Sequence, residues 1–141
     1  MNVLIDTNIA IDVLIKREPF FENSRLVFLA AEQKFINGFI SASAITDIYY
    51  VIKKFYKDKT TAKNLLKSHL MKAVDIAAVD GEVIAKALSL DWGDFEDCVQ
   101  YNVGESISAD YIVTRNPKDF EPGKINIVTP DEFLDIIAPE E

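Results

Sequence analysis

The stretch VLIDTN, residues 3–8, places three apolar residues directly before a carboxylate and two small polar groups, Asp6, Thr7 and Asn8. The apolar run predicts a short, deeply buried strand. A carboxylate at the end of such a strand is costly to hold without partners. We therefore expect Asp6 to be a functional residue rather than an ordinary strand-end residue.

Outward from this strand, short apolar runs alternate with stretches of helical periodicity. This alternation predicts an α/β fold, a three-layer α/β/α sandwich around a mostly parallel sheet, as one domain over residues 1–141. The predicted strands lie at 2–5, around Phe39 and Ile40, and at 73–76, 111–114 and 125–128. The predicted helices lie at 9–15, 20–34, 44–56, 61–70, 80–90, after Asp94, and at 131–137. Their expected N-caps are Ser41 or Ser43, Thr60, Asp80, Asp94, and Thr129 or Asp131.

Composition limits the class of protein. Apolar residues make up 49% and charged residues 27% of the 141 residues, which favours a folded globular chain. No apolar run reaches the roughly 20 residues of a membrane span, and the N-terminus lacks a secretory pattern. We therefore expect a soluble, cytoplasmic protein. The net charge of −8 disfavours nucleic-acid binding by electrostatics alone, unless a basic patch or bound cations reverse the local field.

Four acids, Asp6, Asp47, Asp97 and Asp119, lie where parallel strands end or where helices begin. Ligands gather beyond the carboxyl ends of the strands in such folds, so these acids are expected at one rim. Carboxylates that meet without a cation raise one another's pKa. Mg²⁺ and Mn²⁺ prefer oxygen ligands, and a metal site of this kind hydrolyses phosphodiesters.

Several other chemistries lack their residues. The chain has a single histidine, His69, and metal-independent ribonucleases usually need histidines as general acid and base. A glycine-rich phosphate loop, a GxSxG elbow and an HExxH pair are all missing. The lone Cys98 offers neither a disulfide nor a zinc site, so we interpret it as a small buried residue.

The ordered set of VLIDTN, SASAITD (41–47), DFEDCVQ (94–100), ADYIVTRNPKDF (109–120) and VTPDEF (128–133) resembles a PIN domain, with VapC-type toxins of VapBC toxin–antitoxin pairs as the most similar subgroup. The resemblance covers the whole chain. It implies a Mg²⁺- or Mn²⁺-dependent endoribonuclease that cleaves RNA, commonly as a homodimer. It also implies a small antitoxin whose C-terminal segment lies over the acidic pocket.

Carried over by position, Asp6 and Asp97 match the first and third acidic residues of the family and are expected to be catalytic metal ligands. Asp47 stands where the family often has Glu, so its contact with the metal is direct or through water. Thr114 matches the hydroxyl residue beside the site. Asp47 has an alternative interpretation as a residue of the solvated helix face, stabilised by the helix dipole.

Two residues are candidates for the fourth acidic position of the family. Many members have a Thr-x-Asp pattern, whereas this chain reads Thr114-Arg115-Asn116, and Asp119 follows three residues later. Either Asn116 or Asp119 would be the fourth metal ligand, although Asp119 also suits a turn. Arg115 is the best placed base for contact with RNA. The substituted acid also supports an alternative function, a catalytically weak or inactive PIN-like module that binds a partner protein as a dimer.

Overall fold

A computed structural model of the chain describes residues 1–139, and the two terminal glutamates lie outside the described residues. Five parallel strands form one sheet in the order β3-β2-β1-β4-β5. The strands are β1 (Asn2–Ile5), β2 (Asn37–Ser41), β3 (Asp75–Ala77), β4 (Tyr111–Val113) and β5 (Asn126–Val128). The helices are α1 (Thr7–Leu14), α2 (Phe21–Glu32), α3 (Ala42–Tyr56), α4 (Lys59–Leu65), α5 (Met71–Ala73), α6 (Gly81–Leu88), α7 (Phe95–Ser106) and α8 (Pro130–Ile137). A π-helical turn joins α4 to α5 at Leu66–Leu70, and a 3-10 turn forms at Pro117–Asp119. The predicted α/β fold class is confirmed.

The sheet separates two apolar clusters because successive side chains of a strand point to opposite faces. In β1, Val3 and Ile5 join the cluster under α1, α2, α3 and α8, whereas Leu4 joins the cluster under α6 and α7. All three side chains are fully buried. A strand buried on both faces explains the continuous apolar run at the start of the chain.

Two helix starts differ from the prediction. The helix expected at 9–15 begins at Thr7, because Asp6 itself is the N-cap and accepts a hydrogen bond from the Thr7 amide. The prediction that Thr60 is the N-cap of the helix after α3 is wrong. Asp58 caps α4 there by accepting hydrogen bonds from the amides of Thr60 and Thr61, so the helix starts at Lys59.

The other predicted caps are present. Ser41, Asp80 and Asp94 each accept a hydrogen bond from an amide in the first turn of α3, α6 and α7. Thr129 and Glu132 form a capping box at the start of α8. These caps fix the first turns that face the rim of the sheet.

The strand order changes direction at β1. From β1 the chain continues to β2 on one side of the sheet, and later returns to β4 on the other side of β1. Crevices at such a switch point lie beyond the carboxyl ends of the two strands. The residues that follow β1 and β4, Asp6 and Thr114, therefore meet at this crevice. No helix within residues 1–139 is long and apolar enough to cross a membrane.

Close packing of α2 on the sheet predicts a cost for adding a methyl group at Gly38. An alanine Cβ there would lie 2.8 Å from the Ala31 Cβ and 3.0 Å from the Val74 Cγ1. Overpacking of this kind should lower the free energy of unfolding of Gly38→Ala by about 1–3 kcal/mol, measured by urea denaturation. Gly81→Ala is the matched control, since its Cβ meets nothing within 4 Å at the start of α6. Equal stability of the two variants would contradict the prediction.

Candidate active site

The Asp6 carboxylate is held by three donors at the switch point. Its Oδ1 accepts hydrogen bonds from the Thr7 amide (2.8 Å) and from Gln100 Nε2 (2.9 Å). Its Oδ2 accepts one from Thr114 Oγ1 (2.8 Å). An ionised carboxylate has about four acceptor positions, so Asp6 retains one for a further partner on Oδ2.

Gln100 lies in the same cleft as Asp6, although no role for it was predicted from the sequence. It lies on α7 one turn after Asp97 and is 6% exposed. Its amide nitrogen binds Asp6, whereas its Oε1 is buried without a hydrogen-bond partner. The signal for Gln100 was its i+3 spacing from Asp97, which places both side chains on one helix face.

Three of the four predicted acids line one cleft of 450 Å³. Asp6 comes from the end of β1, Asp47 from the second turn of α3 and Asp97 from the first turn of α7. Asp47 is exposed, whereas Asp6 is buried and Asp97 is half-buried. Gln100 also lines this cleft.

The carboxyl group of Asp97 has a strongly raised pKa. Its burial, followed by the negative charges of Asp94, Asp6 and Asp119, raises the pKa of Asp97 from 3.8 to about 7. Asp94 contributes because it caps the same helix, where its carboxylate oxygen accepts a hydrogen bond from the Asp97 amide. The site thus concentrates negative charge, and within residues 1–139 the charged groups that shift the Asp97 pKa are all acids.

The segment after β4 supplies the remaining predicted residues. The hydroxyl of buried Thr114 also accepts a hydrogen bond from the Asn116 amide (3.2 Å), and it faces the Asn8 side-chain amide at 3.5 Å. Asn116 is exposed and is not among the residues that line the cleft. Asp119, in the 3-10 turn, lies near enough to raise the pKa of Asp97. Whether Asn116 or Asp119 is the fourth ligand stays a prediction, although only Asp119 contributes charge.

Arg115 has partners within the protein. Its Nε lies 2.9 Å from Oδ2 of Asp12, a fully buried acid of α1, and its guanidinium carbon lies 4.1 Å above the Phe20 ring. Arg17 approaches the other oxygen of Asp12 at 3.8 Å. Burial raises the pKa of Asp12, while the two arginines oppose that shift. Contact of Arg115 with RNA stays a prediction. The buried ion pair between Asp12 and Arg115 was not predicted from the sequence.

The donor set fits a hard divalent cation. Mg²⁺ commonly takes one or two protein carboxylates and completes its shell with waters and substrate phosphates. Asp6 and Asp97 supply two carboxylates to one cleft, and Gln100, whose buried Oε1 has no hydrogen-bond partner, lines the same cleft. Within residues 1–139, no three Asp, Glu, His or Cys side chains are grouped closely enough to hold an ion by themselves.

A family model described as the PIN domain matches residues 2–118, so the chain belongs to the PIN domain family. No curated protein sequence matches it. Among solved structures, it is similar to FitAcB from Neisseria gonorrhoeae, with a TM-score of 0.66, 13% identity, and coverage of 91% of this chain and 97% of that chain. It is also similar to VapBC2 from Rickettsia felis bound to a DNA fragment from their promoter, with a TM-score of 0.65, 18% identity and coverage of 90% and 97%.

A third similar structure is Mycobacterium tuberculosis VapC20, described as a sarcin-ricin loop cleaving toxin. The TM-score is 0.61, the identity is 9%, and the alignment covers 78% of this chain and 86% of that chain. At these identities the likeness establishes the fold alone. The predicted PIN family and PIN-like fold are confirmed.

The raised pKa of Asp97 predicts a pH-dependent stability in the absence of divalent cations. Between pH 4 and about pH 7 the folded state binds more protons than the unfolded chain, so stability should fall as pH rises through this range. Asp97→Asn should remove this slope and gain about 1–2 kcal/mol at pH 8, less than the full shift implies because the side chain is partly exposed. Urea denaturation in EDTA against pH measures both. A slope that is unchanged in Asp97→Asn would contradict the assignment.

The buried ion pair between Asp12 and Arg115 predicts that substitutions of Asp12 lower the stability of the fold. Asp12→Ala leaves the Arg115 guanidinium with its carboxylate partner removed, and should cost about 3–5 kcal/mol of unfolding free energy. Replacing both partners, as Asp12→Leu with Arg115→Met, should recover most of that loss because no buried charge then lacks a partner. Thermal and urea unfolding of the single and double variants test the coupling. Additive losses would show that the two side chains act independently.

Proposed function

We propose that the protein is a divalent-metal-dependent endoribonuclease that acts as the toxin of a type II toxin–antitoxin pair. The observation that carries this proposal is the half-buried position of Asp97 among other acids of the cleft rim: burial, followed by the charges of Asp94, Asp6 and Asp119, raises the Asp97 pKa to about 7. Such an arrangement is unfavourable at neutral pH unless a cation neutralises it. Membership of the PIN family supports the same interpretation.

Asp6 and Asp97 are the proposed ligands of a Mg²⁺ or Mn²⁺ ion, and Asp47 and either Asp119 or Asn116 complete the acidic site directly or through water. A bound divalent ion lowers the pKa of its water and stabilises charge on a phosphate oxygen, which are the requirements of phosphodiester hydrolysis.

The chain's own groups orient the site. Thr114 and Gln100 fix the Asp6 carboxylate from two sides, which leaves its remaining acceptor position on Oδ2 directed away from both bonds. The exposed Asp47 on α3 lines the same cleft. In this proposal the RNA phosphate enters the cleft, and no histidine is among the residues that line it.

The similar structures suggest which partners to propose for this chain. VapBC2 and FitAcB bear the names of toxin–antitoxin systems, and VapC20 is described as a toxin that cleaves the sarcin-ricin loop. By analogy we propose an RNA substrate, a small antitoxin that covers the acidic cleft, a homodimer, and action in the cytoplasm.

A second candidate, a non-catalytic PIN module that binds a partner protein, is favoured by one observation. Asn116 stands in place of an acid, and no group of three potential metal-binding side chains occurs in the described part of the chain. This module would keep the fold and the cleft but would not bind divalent ions.

Cleavage assays with matched variants test the nuclease. The chain should cut structured RNA in Mg²⁺ or Mn²⁺, and EDTA should abolish the cleavage. Asp6→Asn and Asp97→Asn should each lower the rate by about a hundredfold or more, because each removes charge that the proposed cation needs. Asp75→Asn is the control: it removes the same charge at an exposed position of β3, and Asp75 is not among the acids that shift the pKa of Asp97.

Calorimetry with Mn²⁺ separates the two candidates. Binding that Asp97→Asn weakens and Asp75→Asn leaves in place supports the nuclease. Lack of Mn²⁺ binding at millimolar concentration, together with an uncut RNA, would favour the binding module. Cleavage that survives both EDTA and Asp6→Asn would refute the proposed site.

A further inference from the structure

The basic residues of this acidic chain are concentrated in one segment. Residues 53–72 contain seven lysines and one acid, Asp58, a formal charge of +6. Since the whole chain carries −8, the rest of it carries −14. All seven lysines are exposed, and the ion pairs found within residues 1–139 involve other cations. The one acid is occupied as the N-cap of α4.

Four of these lysines surround an open basin at the corner between α3 and α4. We define the lysine basin as the 620 Å³ depression lined by Tyr50, Lys53, Lys54, Lys57, Asp58 and Lys59. Lys57 ends α3 in the left-handed conformation (φ 57°), which turns the chain sharply so that lysines of both helices face the same depression. Phosphate groups are the ligands that such a group of exposed lysine ammonium ions suits best.

One face of α3 joins the basin to the acidic cleft. Asp47, Tyr50, Lys54 and Lys57 are all exposed and follow one another at intervals of three or four residues, so they lie along the same helix face. Asp47 lines the cleft, and Lys57 lies ten residues further on, about 15 Å along the axis. Successive phosphates of one strand lie about 3.4 Å apart along the axis of B-form DNA, and at that spacing about four phosphates cover the distance.

Tyr50 is suited to contact a base on this route. Its ring is 67% exposed and stacks on Tyr49, with centroids 5.6 Å apart and an angle of 12° between the planes. A supported, exposed aromatic ring beside lysines is the usual combination for binding single-stranded nucleic acid, because bases stack on the ring while ammonium groups bind phosphates.

We infer that the lysine basin is an anchoring site for the RNA backbone, which holds the strand along α3 with one end in the acidic cleft. This inference rests on the proposed ribonuclease function, and it resolves how a chain of net charge −8 attracts RNA. The basin binds phosphates through ionic contacts that are the same in the ground state and the transition state. It therefore acts on affinity and leaves the chemical step unchanged.

Binding of a fluorescein-labelled oligouridylate in EDTA, followed by fluorescence anisotropy from about 50 to 200 mM NaCl, tests the basin without cleavage. The triple variant Lys53→Gln, Lys54→Gln, Lys59→Gln should weaken binding by about tenfold or more. It should also reduce the slope of log K against log salt by about 2, because each single-strand phosphate contact contributes about 0.7. The control Lys16→Gln, Lys34→Gln, Lys124→Gln makes the same change in net charge at exposed sites elsewhere, and should stay within about twofold of wild type.

Tyr50→Leu separates stacking from charge. It should weaken oligouridylate binding while the salt slope stays at the wild-type value, since it removes no cation. Circular dichroism and size-exclusion chromatography establish that the variants keep the fold and oligomeric state of the wild type. Should the triple variant fail to fold, unchanged binding of Tyr50→Leu overturns the inference.

The outcomes distinguish this inference from the proposed function. With Mg²⁺, the basin variant should raise KM for RNA and keep kcat. Cleavage with an unchanged KM, or equal losses of binding in the two triple variants, would overturn the basin as an RNA site. Specific binding of RNA by the basin in a chain that cuts no RNA would count against the nuclease alone. Loss of antitoxin binding with intact RNA binding would reassign the lysines to a protein partner and overturn the inference.

Discussion

The hydrogen bond from Thr114 Oγ1 to Asp6 Oδ2 joins the ends of β1 and β4, where the sheet changes direction. It depends on the parallel register that pairs Ile5 with Val113, because the next residue of each strand then faces the same crevice. Gln100 completes the arrangement from α7. A buried carboxylate is tolerated here because every bond to it comes from a polar donor, and its geometry is therefore fixed before any ligand arrives.

Burial raises the pKa of two acids of this protein, Asp12 and Asp97, but their charged neighbours have opposite signs. Asp12 is fully buried, and two arginines offset its desolvation, so its charge is neutralised within the fold. Asp97 is half-buried, and every charged neighbour that shifts its pKa is another acid. The Asp12 charge is balanced by arginines of the chain, whereas the repulsion at Asp97 is relieved by a proton or, as we propose, by a bound cation. This contrast separates the acid that holds α1 to the β4 segment from the acid that we assign to function.

Charge is separated along α3 rather than spread over the surface. Its first turns border the acidic cleft, and its last turn and the start of α4 border the lysine basin. In the proposed function, this separation would let RNA be attracted at the lysine basin while the acidic cleft holds the cations for cleavage. The net charge of a chain is thus a poor guide to what one of its surfaces binds.

Local patterns in the sequence determined the helices, the strands and most caps, because periodicity and N-cap chemistry act over a few residues. They also led to the prediction that Asp6 and Asp97 are functional residues. Only the tertiary structure decided that Gln100 and Thr114 bind Asp6, across 94 and 108 residues of chain, and that Asp12 receives Arg115. Partners at such separations are brought together by strand order and register, and single-chain spacing carries no record of either.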